Sequence, residues 1–150
     1  MPFEEKMTWV SGVVAVVVPV AYFIIMLGRL QDTSASAIAY QVPLIVAVVA
    51  SIVLNIVGAI AVSIGAGISA ELHGRKAEDE IERKDERDKS IARRGDLIGF
   101  YVSSVGLVGA LILTMTEADY FWIANTIYLA FVVGGVVGTV VKLVAYHRGF

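Results

Sequence analysis

The sequence predicts an all-α polytopic membrane protein, four transmembrane helices with a charged cytoplasmic helical connector between the second and the third. Three observations carry this reading. Of the 150 residues, 57% are hydrophobic, above the ~45–50% usual in a soluble domain. The 12 Lys and Arg and the 14 Asp and Glu fall outside four long apolar stretches, as in multi-pass proteins. Each stretch also reaches the ~20 residues that a helix needs to cross ~30 Å of hydrocarbon. Residues 1–150 form a single integral membrane domain on this reading.

The first span, Trp9 to Gly28, is free of charge and carries Pro19, which removes one backbone hydrogen bond and favours a kink. An apolar run followed by Ala35-Ser36-Ala37 imitates a signal peptide. Glu4 and Glu5 in the leading segment, and a run longer than the 7–15 residues of signal peptides, argue for a retained span. The second span, Val42 to Ala70, is longer than the bilayer requires, so it should tilt or project into water at its Ile68 end. The third and fourth are Leu97 to Thr116 and Tyr120 to Val141. Val and Ile are abundant throughout, yet strands run only ~4–8 residues and their open edges are not tolerated in lipid, so helices are expected. Trp9, Tyr40, Tyr120, Trp122 and Tyr146 stand near span ends, where interfacial aromatics belong.

If the four spans alternate, eleven of the 12 Lys and Arg share one side and Arg29 alone takes the other. The positive-inside rule then places both termini and segment 71–96 in the cytoplasm, with the protein in the cell membrane and linkers 29–41 and 117–119 outside. Segment 71–96 holds eight basic and nine acidic residues. Such a mixture differs from a polybasic lipid-binding strip. Glu71/Arg75, Asp79/Arg83, Glu80/Lys84 and Asp85/Lys89 stand acid-first at i,i+4, the order that supports a helix. Gly74 and Gly95 bound this helix, and a hairpin made by extending spans two and three satisfies the same pattern.

Within the spans there is no Asp, Glu, His, Lys or Arg. Proton relays and voltage sensors place such groups at membrane depth. What remains is small and polar, in stripes. Ser51, Asn55, Ala59, Ser63 and Gly67 recur every four residues in span two, a face expected to meet other helices. Span three has Asp96, Gly99, Ser103, Gly106 and Ala110; span four has Ala130, Gly134, Gly138 and Lys142, with Gly134 and Gly138 forming a GxxxG pair. Small residues let helix backbones approach closely, so Ser51, Asn55, Ser63, Ser103, Gly134 and Gly138 are candidates for helix packing, within one chain or in a homo-oligomer. The alternative is a solute path around Asn55.

The motifs of enzymes are absent or misplaced. Gly65-Ala-Gly67-Ile-Ser-Ala70 imitates a dinucleotide fingerprint, but it ends an apolar span where that fingerprint must follow a strand. His73 and His147 lack ligand spacing, and there is no cysteine, GxSxG, HExxH or P-loop. The expectation is a non-enzymatic protein with no catalytic residue, no cofactor and no metal. The formal net charge of −2 gives no case for nucleic acid.

Lys84-Asp85-Glu86-Arg87-Asp88-Lys89-Ser90-Ile91, leading through Gly95 into Phe100-Tyr101-Val102, resembles an uncharacterised family of small prokaryotic membrane proteins. Its members have about four spans and an Asp-Glu-Arg motif, then Ile, before the third. By that resemblance Asp85, Glu86, Arg87 and Ile91 are the motif positions. Some members are similar to proteins encoded beside helix-turn-helix regulators, which implies signalling through a cytoplasmic protein partner. The expected role is therefore a membrane scaffold or signal-coupling module docking its partner through the connector, with a small oligomeric transporter or channel as the alternative.

Overall fold

The computed structural model describes residues 3–72 and 86–148. It is all-α, with four helices: α1 (Phe3–Asp32), α2 (Gln41–Leu72), α3 (Glu86–Met115) and α4 (Tyr120–Arg148). A single 3-10 turn, Ala35–Ala37, lies between α1 and α2. All four helices are long and apolar enough to cross a membrane. At 1.5 Å per residue, helices of 29 to 32 residues measure about 45 Å, so their charged ends stand clear of a ~30 Å hydrocarbon layer. The charged connector lies in part outside the described residues, at 73–85. Its last part, 86–96, is the first three turns of α3.

Local chemistry explains where the helices turn. Pro19 lies inside α1 and is buried, and the helix continues past it to Asp32. After α1 the chain is tied back by Arg29, whose Nη1 donates to the Ala39 carbonyl at 3.2 Å, while Ile38 is buried beneath the turn. Between α3 and α4 only Thr116–Asp119 intervene. The Ala118 N–H bonds to the Leu113 carbonyl at 3.0 Å and the Glu117 N–H to that of Thr114 at 3.2 Å. This is a Schellman cap, and its left-handed position falls on Glu117 at φ 55. So short a turn forces α3 and α4 into an antiparallel hairpin.

The helices pair in the spatial order α2–α1–α4–α3: α3 lies on α4, α4 on α1, and α1 on α2. The expected four helices are present, and among the described residues α2 and α3 form no extensive contact to close them into a bundle. The cause is in the side chains. Seats for close approach occur at the three formed pairs. A Cβ at Gly99 would lie 2.6 Å from the Gly134 carbonyl oxygen (α3–α4) and one at Gly12 would lie 2.8 Å from Thr139 Cγ2 (α1–α4), while Gly58 takes Val10 against its backbone (α2–α1). The remaining faces of α2 are lined by Ile and Val such as Val49, Ile52, Ile56 and Ile60, which hold a neighbouring backbone away and suit lipid.

A compact apolar cluster sits toward the linker end, made by Tyr22, Met26, Ile38, Ala47 and Phe121 from α1, the linker, α2 and α4. Met26 is 1% exposed. At the other end Glu5 of α1 approaches His147 of α4 at 4.0 Å, and Tyr146 faces Asp88 of α3 together with Glu4 and Glu5. The start of α1, the start of α3 and the end of α4 therefore share one end of the molecule.

Candidate functional site

Two regions gather the polar and small residues singled out in the sequence. The first is the α3–α4 seam. The buried positions of α3 are Ile91, Gly95, Gly99, Ser103 and Ala110, and those of α4 include Ala130, Gly134 and Gly138. These two stripes face each other within one chain. Besides the Gly99–Gly134 approach, a Cβ at Gly138 would come 2.9 Å from the Gly95 carbonyl oxygen, and the Ser103 hydroxyl occupies the space beside the Gly134 backbone. Gly99, Ser103, Gly106 and Ala110 stand on this face, and only its charged end differs from expectation, with Gly95 rather than Asp96 as the member. Asp96 stands beside it and pairs with Lys142, Oδ1 to Nζ 2.6 Å. Asp96 and Lys142 flank the charge-free stretches of α3 and α4, so the pair marks the boundary where the seam leaves the apolar layer. A groove of about 430 Å³ runs along the seam, floored by Gly99, Ser103 and Gly134 and rimmed by Phe100 and Phe131.

Past that boundary α3 continues through the motif positions. Asp85 lies outside the described residues. Glu86 and Arg87 are exposed at the first turn. Lys89, expected opposite Asp85, reaches Glu86 at 2.6 Å. Ile91 points the other way: it is 5% exposed and lies one turn before Gly95 on the stripe that meets α4. The structure thus separates the motif into an outward charged pair and an inward apolar residue that belongs to the seam.

The second region lies inside the apolar layer, where α1, α2 and α4 converge. Tyr22 Oη donates to Asn125 Oδ1 at 2.8 Å, and Asn125 Nδ2 donates to the Phe121 carbonyl at 2.8 Å. The rings of Tyr22 and Tyr128 meet edge to face at 5.2 Å. The Tyr128 hydroxyl is buried and lies beside Ser51 of α2. Ser51, Asn55 and Ser63 are half-buried, and each donates to a carbonyl one turn earlier in its own helix, those of Ala47, Ser51 and Ala59 at 2.9 Å. Such back-bonding satisfies a donor without a partner helix. The α2 stripe is the half-buried side of its helix at Ser51, Asn55, Ala59, Ser63 and Gly67, with Ser51 bordering the three-helix core, and its polar groups make their hydrogen bonds to α2 itself.

Tyr22 and Tyr128 were not among the sequence candidates. The available signal was their depth. Interfacial tyrosines sit at span ends, and one well inside an apolar span must place its hydroxyl against protein. Among the described residues no three His, Asp or Glu are grouped to hold a metal ion.

In comparisons with known proteins, no family model matches the chain, no curated protein matches it, and no solved structure matches it.

Proposed function

We propose that the protein is a membrane scaffold or signal-coupling module of a prokaryotic cell membrane, with both termini cytoplasmic, and that α3 carries its docking surface. One observation supports this above the others. α3 runs unbroken from Glu86 to Met115 and is clamped to α4 by the glycine seam, so the charged turns before Asp96 stand on a rigid stem. Glu86 and Arg87 face outward from that stem, while Ile91 anchors its inner side. The partner is a protein with charges complementary to this face. Exposed ion pairs add little to folding, so exchanging them for pairs with a partner costs this helix little. No catalytic step and no cofactor enters this reading.

The transporter reading rests on the polar groups Ser51, Asn55 and Tyr128, and the two readings separate experimentally. Replacing Asp85, Glu86 and Arg87 with Ala leaves a good helix former at each position. Crosslinking pull-down from native membranes should then show lost association at unchanged membrane abundance. An unaltered set of partners sinks the docking reading and moves the Asn55 face to first place. Orientation is tested by Ser36→Cys and Ser90→Cys: an impermeant thiol reagent added to intact cells should label the first and spare the second.

A further inference from the structure

The linker end of the helices carries a pocket of about 200 Å³, set between the 3-10 turn and the start of α4. Its construction is specific. Phe121 and Ile38, 3% and 6% exposed, are fixed parts of the core. Tyr40 meets Phe121 edge to face at 5.7 Å, and Tyr120 and Gln41 complete the wall. The single charged residue in the lining is Asp119. Its carboxylate is exposed and has neither an ion pair nor a side-chain hydrogen bond among the described residues.

The surroundings share that sign. Linkers 29–41 and 116–119 contain Asp32, Glu117 and Asp119 against Arg29 alone, and Arg29 is turned to the Ala39 carbonyl rather than into the pocket. Aromatic faces attract cations through the ring quadrupole, and a carboxylate beside them adds a direct charge. The volume is below the ~300–1,000 Å³ of sites for drug-sized molecules, so the ligand is small. The α4 amino end would by itself favour an anion, but Asp119 already sets a negative charge there.

We propose that the juxtaposition of Asp119 with Tyr40, Tyr120 and Phe121 forms a binding site for a small organic cation of the quaternary ammonium type. The site lies opposite the α3 docking face and stands independently of that reading. Tyr40 and Tyr120 supply the ring surfaces and Asp119 the counter-charge, while Phe121 and Ile38 form the packed apolar floor.

The test uses the purified full chain in nanodiscs, with choline as the probe and the fluorescence of Trp122 as the readout, because its ring lies 5.2 Å from that of Phe121. A saturable change is expected with choline. The neutral isostere 3,3-dimethyl-1-butanol should bind about tenfold more weakly or worse, as should choline to Asp119→Asn. Tyr40→Leu should weaken choline several-fold. The isostere comparison needs no variant and so decides the question even if Asp119→Asn misfolds. The site is refuted if choline gives no saturable change up to about 100 mM, if the isostere binds as well as choline, or if acetate competes for the pocket.

Discussion

Tyr22 and Asn125, 103 residues apart in sequence, share a buried 2.8 Å hydrogen bond that joins α1 to α4 inside the apolar layer. The bond fixes the rotation of α1 on α4 where the apolar side chains alone would permit several. It also places the Tyr22 ring against Phe23 and Tyr128, so the polar contact and the aromatic packing specify the same arrangement. Around them the apolar cluster closes over Met26 and Phe121.

Tyr22→Phe keeps the ring and removes the donor, leaving Asn125 Oδ1 without its partner in an environment that offers no water. The expected loss is ~0.6–2 kcal/mol, the range for interhelical hydrogen bonds in membranes and for orphaned buried acceptors. Tyr120→Phe, at a position 81% exposed, should be silent. Adding Asn125→Leu to Tyr22→Phe should recover part of the loss, since removing both partners leaves nothing unsatisfied. Thermal unfolding in detergent measures all three, and a double variant no more stable than Tyr22→Phe would mean that the bond is incidental.

At the α3–α4 seam, Gly138→Leu drives a side chain into the Gly95 backbone, where even a Cβ would stand 2.9 Å from a carbonyl oxygen. Backbone cannot swing aside as a long side chain can. The variant should lose ~1–3 kcal/mol, as overpacked contacts usually do, and should loosen α3 from α4. Val140→Leu enlarges a half-exposed side chain on the same helix and should leave the melting temperature within a degree or two of the parent. Equal melting temperatures for the two variants would show that the seam does not bear on stability.

Much of this seam is legible in the sequence. The three- and four-residue spacing of Gly99, Ser103, Gly106 and Ala110, and of Gly134 and Gly138, marks faces where backbones meet, and these faces do meet. Spacing names a face, however, and not its partner. That α3 pairs with α4 follows from the four-residue turn at Thr116–Asp119, which leaves an antiparallel neighbour as the only short route. The α2 stripe is equally regular and is the half-buried side of its helix, yet Ser51, Asn55 and Ser63 direct their hydrogen bonds to their own helix, because a hydroxyl or amide in a helix can find the carbonyl one turn back. Depth marks Tyr22 as a side chain that must reach protein, but its pairing with Asn125 depends on the rotation of two helices, and no local pattern encodes that. Ile91 is a docking candidate through the resemblance alone, and its register with Gly95 puts it on the buried stripe.

Glu117 supplies the last prediction. It occupies the left-handed position of the cap that ends α3, at φ 55, a conformation in which a side chain with a Cβ costs ~1–2 kcal/mol. Gly at this site is free of that penalty, although it loses ~0.5–1 kcal/mol to the greater freedom of the unfolded chain. The net expectation for Glu117→Gly is a gain of ~0.5–1 kcal/mol, because the two backbone bonds to Leu113 and Thr114 do not depend on the side chain. Glu117→Ala separates backbone from charge: it removes the same carboxylate but keeps a Cβ in the unfavourable conformation, so it should gain nothing. Melting temperatures of the three proteins in one detergent decide the matter. If Glu117→Gly melts no higher than Glu117→Ala, the strain at this turn is not what limits the α3–α4 hairpin, and its stability resides in the glycine seam alone.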